Sequence, residues 1–306
     1  MKKLLAIAVV AAMTVPAMAA PGIGGQIRLE TSLSGADKTI NNKGGKSFIT
    51  MGGATPIGGN GVMGTYGAKL RFNPNATSPA GFDQPLTGNI GIKAGSHWVR
   101  FGANATPMDR IDDIVGFLPQ DNTAGDGAST GSVDYNGAFG PVSLFANVRP
   151  HETSGRKSQI GLQYKAGPFT AGIASSPKAT ASVTAVPGSG FVFDPTTGGS
   201  TGGTPAVAAA SAESKTTIAL AYAAANYALG VVSDKNADGA KSHSVGGKYT
   251  MGKTTLSASF GKNFNSDKTN GLGVSYAVGS KTRAYLSSTS VGSGSRSNSI
   301  GLEQKF

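Results

Sequence analysis

Five carboxylates, Asp109, Asp112, Asp113, Asp121 and Asp126, crowd into the stretch from Asn104 to Gly131, with Arg110 as its one cation. Carboxylates gathered on a loop offer oxygens to a hard cation such as calcium, or a negative field to whatever passes them. The stretch lacks a defined calcium-loop spacing, which makes calcium the lesser reading. Other chemistry-bearing residues do not gather. His97, His151 and His243 lie far apart, none at metal-ligand spacing with another. No Ser/His/Asp set is singled out as catalytic, no metal site is legible, and nothing calls for a cofactor. Gly247 to Thr254 matches the phosphate-binding pattern GxxxxGK[ST], but that mechanism needs the loop to open a helix. Leu256, Ala258 and Phe260 alternate directly after it, as in a strand, so the match reads as a hairpin turn.

The acidic stretch must be positioned by the strand-like segments on either side of it. A connection of 28 residues between neighbouring strands is long unless it has a task of its own or is disordered. This one can fold: Pro107 suits the first position of a short helix, and Ile111, Ile114, Val115, Phe117 and Leu118 give it something to bury. A half-apolar, acidic loop in a chain of net charge +11 is the anomaly to explain. We expect it to fold into the mouth of a β-barrel and narrow it.

Both ends of the chain point to a membrane. Residues 1–19 read as a secretion signal: Lys2 and Lys3, an apolar core from Leu4 to Val15, and the small-residue cleavage site Ala17-Met18-Ala19. Its apolar run is too short and wrongly flanked for a spanning helix. Loss of the two lysines takes the formal charge from +11 to +9, and the chain has no cysteine with which to form disulfides. The pI of about 9.8 would suit nucleic acid, but export, scattered Lys and Arg, and the lack of a helical basic face argue against it. At the other end, Ile300, Leu302, Gln304 and Phe306 share one parity, with Gly301, Glu303 and Lys305 on the other. A secretion signal with a final one-faced strand ending in Phe resembles the outer-membrane barrel proteins of Gram-negative bacteria. In that group the ending is the signal read by the insertion machinery.

The middle fits the same expectation. No segment of residues 20–306 is long and apolar enough for a membrane helix, and 46 glycines suit strands and turns better than helices. Sixteen strands are predicted, over 25–34, 45–53, 62–73, 86–94, 96–103, 131–136, 141–149, 157–166, 168–175, 214–223, 226–234, 242–250, 253–262, 269–277, 281–291 and 297–306. Tyr135, Tyr164, Tyr222, Tyr249 and Tyr276 each precede a short turn (NGAFGP after Tyr135), and with Phe139, Phe169 and Tyr227 they would ring one membrane interface. Longer connections, above all 176–213, fall at the other end. Parity puts Ile27, Leu29, Tyr66, Leu70, Ile90, Ile92, Val99, Phe101, Ile160 and Leu162 on the lipid face. It leaves Arg28, Lys69, Arg71, Lys93, Arg100, Arg149, Lys165 and Lys248 inside, with Glu30, Asp134 and Glu303. Trp98 also points inward. Lys or Arg on the lipid face at mid-membrane would cost about 2–4 kcal/mol each.

On GNIGIKAGSHWVRFGANATPMDRI, SVDYNGAFGPVSLFANV, IGLQYKAGPFTAGIA, AVGSKTRAYLSS and IGLEQKF, the mature chain is similar along its length to the sixteen-stranded trimeric general porins of Gram-negative bacteria. The resemblance implies an all-β fold, a sixteen-stranded antiparallel transmembrane β-barrel whose third extracellular loop folds inward. It implies a homotrimer in outer-membrane lipid, passing small hydrophilic solutes and ions. It places Asp109, Asp112 and Asp113 on the acidic side of a constriction and Arg28, Lys69, Arg71 and Lys93 on the basic side, with Arg100 on the same wall. Members of the family often carry Arg-Gln after this Phe-Gly; Ala103 and Asn104 stand here instead. The rival expectations are an adhesin or scaffold barrel with a plugged lumen and 176–213 as its working surface, then a barrel enzyme cleaving lipids or peptides.

Overall fold

Alternation along each strand decides the architecture, because a period of two sends successive side chains to opposite faces of a sheet. The computed structural model describes residues 22–33, 40–41, 47–57, 60–71, 87–117, 128–150, 158–177, 192–193, 200–201, 214–294 and 296–306. The expected signal segment lies outside them, as does most of the 176–213 connection. The wall strands are β1 (Gly22–Ser32), β2 (Phe48–Pro56), β3 (Val62–Arg71), β4 (Thr87–Ala94), β5 (His97–Ala105), β6 (Ala128–Phe139), β7 (Val142–Val148) and β8 (Ser158–Ala166). They continue as β9 (Phe169–Ser176), β10 (Lys215–Ala223), β11 (Tyr227–Lys235), β12 (Lys241–Met251), β13 (Thr254–Lys262), β14 (Lys268–Ala277), β15 (Thr282–Val291) and β16 (Ser297–Lys305). Each pairs antiparallel with the next, and β16 returns to β1 in the register Gln26↔Lys305 through Ser32↔Ser299. The sheet therefore closes on itself as a sixteen-stranded barrel. Ile40–Asn41 adds a short pairing to β1, and Val192–Phe193 pairs with Ser200–Thr201.

The apolar side chains are turned inside out relative to a water-soluble protein. Ile160, Leu162, Ile173, Ile218, Leu220, Leu229 and Val231 lie exposed on the outer face of neighbouring strands β8 to β11, while Gln159, Ser176, Thr217 and Asp234 are buried on the other. Such a band of exposed apolar surface is stable against lipid and would not be in water. Tyr227, Tyr249 and Tyr276, with Phe139 and Phe169, stand exposed near the short turns, and Tyr222 bridges Phe169 and Tyr227 by ring contacts at 4.8 and 5.7 Å. The tight turns at this end carry Gly95, Gly140, Gly167 and Gly252 with φ of 55–61°, where a Cβ would be strained. Gly252 sits in the β12–β13 hairpin, so the phosphate-loop match is a turn.

Several boundaries differ from expectation: the first strand begins at Gly22 rather than Gly25, the second runs Phe48–Pro56 rather than 45–53, and β6 begins at Ala128 rather than Gly131. β6 continues to Phe139 rather than stopping at Asn136, so NGAFGP is mostly strand and only Gly140-Pro141 turns. The missing side chain of Gly137 makes room there: a Cβ would meet His97 Nδ1 at 2.7 Å, while His97 itself hydrogen-bonds Tyr135 Oη at 2.9 Å. At the acidic connection, Asn104 and Ala105 still belong to β5, which passes a bulge between Gly102 and Asn104.

Candidate functional site

Within the acidic connection, Thr106 starts a helix, α1 (Pro107–Asp112): its Oγ1 accepts a hydrogen bond from Asp109 N at 3.2 Å, and proline occupies the first turn. A 3₁₀ turn, Asp113–Val115, follows. The segment does not stand out from the barrel. Met108, Ile111 and Val115 are fully buried against Phe145, Ala174, Ala219, Ala221 and Val232, with Ile114 and Phe117 beside them. Those wall residues lie on β7, β9, β10 and β11, on the face opposite the exposed apolar band. Met108 N also donates to Gln159 Oε1 of β8 at 3.4 Å.

Three wall glycines shape this seat. A Cβ on Gly161 would lie 3.2 Å from Pro107, one on Gly172 2.6 Å from Ile111 and 2.7 Å from Ile114, and one on Gly230 2.7 Å from Val115. Carbon atoms pack at roughly 3.5–4.0 Å, so a side chain at Gly172 or Gly230 would press on Ile111, Ile114 and Val115, which must give way. One ionic tether joins the packing. Arg110 Nη2 donates to Asp134 Oδ2 of β6 at 3.1 Å, and Arg100 Nη2 reaches the same oxygen at 3.3 Å. Asp134 is 0% exposed. Arg110, the lone cation of the acidic stretch, thus adds an ionic contact to that packing. Asp109 and Asp112 are half-buried and Asp113 more open. Burial pushes the Asp113 carboxyl above the usual aspartate range, against the opposing pull of Arg110.

The expected basic residues are spread along the inner face, each engaged locally. Arg28 donates from Nε to Tyr285 Oη at 2.6 Å and from Nη2 to Glu30 Oε2 at 3.2 Å, and Tyr285 donates on to Glu30 at 2.8 Å. Arg283 and Lys305 hold Glu303 beside this group at 2.9 and 3.8 Å. Lys69 lies over the Phe48 ring at 3.9 Å, and Lys93 and Arg100 flank Trp98 at 5.1 and 4.8 Å. Arg71 is half-buried at the end of β3. Glu30, Asp134 and Glu303 are each bound to cations of the chain itself, so the inner face is less basic than a count of its cations suggests. In a ring of sixteen strands β9 lies eight strands from β1 by either route. The segment seated on β8 to β11 therefore occupies the half of the barrel opposite Arg28, Lys69 and Arg71.

The sequence reading singled out the acidic residues and missed the tether and the glycine seat. Asp134 had been placed on the inner face, but its partnership with Arg110 depends on the path of the loop. Gly161, Gly172 and Gly230 do carry a sequence signal, each falling on inward parity in a strand that already has its outward apolar set.

A family model described as Gram-negative porin matches residues 6–303. Solved structures with similar architecture include a triple mutant of the Rhodopseudomonas blastica porin, 12% identical with a TM-score of 0.66. Two further mutants of the Rh. blastica porin are 13% and 11% identical, each with a TM-score of 0.68. Each match covers 94% of this chain and 100% of the other. At such identities the likeness to these structures is one of fold. No curated protein sequence matches the chain.

Proposed function

The chain belongs to the Gram-negative porin family, and we propose that, as an outer-membrane diffusion channel of that family, it selects solutes at one constriction, between the acidic loop and a basic wall. Asp109, Asp112 and Asp113 supply the negative side; Arg28, Lys69, Arg71 and Lys93 supply the positive side, while Arg100 lies beside the loop on the carboxylate it shares with Arg110. The observation that carries this reading is the seating of Ile111 and Val115 on β9 to β11, which commits the apolar side of the segment to the wall. Sixteen strands about 4.8 Å apart and tilted by about 40° enclose roughly 30 Å between backbones, and a helix with its side chains takes about 10 Å of that. Across the remaining gap the two charge sets impose a transverse field on hydrated ions, which salt screens over about 10 Å at 0.1 M. No covalent chemistry is needed. Family membership further supports a homotrimer with its apolar band in outer-membrane lipid.

Reversal potentials in a salt gradient test the proposal. Replacing Asp109, Asp112 and Asp113 together by Asn is expected to shift selectivity toward anions in a barrel that still folds. An unchanged reversal potential would remove the loop from the permeation path. A folded barrel that conducts nothing would instead favour an adhesin or scaffold with a plugged lumen.

A further inference from the structure

We propose that Lys93, Trp98 and Arg100 form a binding site on the lumen wall for aromatic carboxylates. Trp98 is the only tryptophan of the chain. Its neighbours Val99 and Phe101 are exposed on the outer face, so the indole lies on the inner one, beside Lys93, its directly paired residue on β4. An indole is stable at a membrane interface, with its body in lipid and its N–H wet. Turned toward an aqueous lumen, the indole serves the barrel as a platform for the Lys93 and Arg100 cations.

The charges around it are arranged to receive an anion. The Lys93 ammonium lies 5.1 Å from the indole centroid and the Arg100 guanidinium 4.8 Å. Gly91, paired with Arg100, lets the arginine stem lie flat along the wall, since a Cβ there would come within 2.7 Å of Arg100 Cγ. Among the described residues Lys93 has no carboxylate partner, and Arg100 engages Asp134 through one terminal nitrogen, Nη2. Arg100 and Arg110 share the carboxylate of Asp134, and Asp113 also acts on Arg110, which leaves Lys93 as the cation of the patch without a carboxylate among the described residues. A small inorganic anion would make no use of the indole, and a neutral ring would leave the lysine unpaired. A carboxylate on a flat ring uses both: its oxygens accept from Lys93 and Arg100, and its ring lies against Trp98.

This inference rests on the channel reading, because the solute must reach the wall from the lumen. With a single tryptophan, intrinsic fluorescence of the mature protein in detergent micelles reports on this place alone. Benzoate is expected to quench it saturably, with benzamide and acetate each weaker by about tenfold, the scale of one charge-assisted contact. Lys93→Gln should weaken benzoate binding by about tenfold as well, whereas Lys241→Gln, at the far end of β12, should leave it unchanged. Heat-modifiable gel migration establishes that each variant is folded. In planar bilayers benzoate should interrupt the current of the native channel and not that of the Trp98→Leu variant. Linear quenching, equal effects of acetate and benzoate, or an unaltered Lys93→Gln titration would overturn the site. A protein that conducts potassium chloride but fails these tests loses only this site; one that conducts nothing loses the channel reading.

Discussion

Substituting Gly172 and Gly230 by alanine should narrow the channel without unfolding it, and substituting both by leucine should widen it. An added Cβ at Gly172 falls 2.6 Å from Ile111 and one at Gly230 2.7 Å from Val115. Relief to normal packing at roughly 3.5–4.0 Å requires about 1 Å of movement, shared between the Cδ1 ends of Ile111 and Ile114 and, at the stiffer Val115, a shift of the 3₁₀ turn into the lumen. Overpacking by a methyl group costs about 1–3 kcal/mol. Against that, Met108, Ile111 and Val115 are 2%, 0% and 0% exposed, and burial of such side chains contributes about 1.5–3 kcal/mol each. The seat therefore survives the two methyls and shifts. Two leucines demand several ångströms and exceed what the burial supplies, so the segment leaves the wall. Single-channel recording in planar bilayers reads the result: lower conductance for the double alanine variant, higher and noisier conductance for the double leucine variant. Equal conductance in all three proteins would refute the idea that this segment is pressed against Gly172 and Gly230 within the permeation path.

Two other expectations concern charge. Asp134→Asn removes the carboxylate shared by Arg100 and Arg110, which are 17% and 18% exposed, and should destabilise the folded barrel by about 2–4 kcal/mol; an unaltered urea-unfolding midpoint would contradict the tether. Because burial raises the Asp113 carboxyl, the folded protein binds that proton more tightly than the unfolded chain. The loop should accordingly lose charge, and gain a little stability, as pH falls toward the ordinary aspartate value of about 3.9, starting above it. Reversal potentials measured from neutral pH downward should drift toward anion preference, and the drift should shrink in Asp113→Asn.

The wall was legible because lipid enforces it: one parity must be apolar, so Ile160, Leu162 and Ile218 reveal strand, face and direction together. The turn glycines were legible for a local reason, the positive φ at Gly95, Gly140, Gly167 and Gly252. The acidic loop stood out by composition. What stayed hidden was set by closure and by the route of that loop. Arg28 and Glu30 share a face two residues apart, but Tyr285, 257 residues from Arg28, joins them only because β15, β16 and β1 are neighbours in the closed ring. Arg110 meets Asp134 only because the helix runs back along the wall. The extent of β6 is hidden because Asn136 and Gly137 look like turn residues, while Gly137 makes room for the near-parallel His97 and Tyr135 rings beside it.

The seam between β1 and β16 also sets a condition on manufacture. Gln26 through Ser32 find one row of hydrogen-bonding partners in Ser299 through Lys305, from the other end of the strand order. Until β16 arrives, the sheet has two open edges, each able to pair with another chain. The two strands that close the ring are thus the first and last of the wall in chain order, so neither edge is covered until all sixteen strands have been placed.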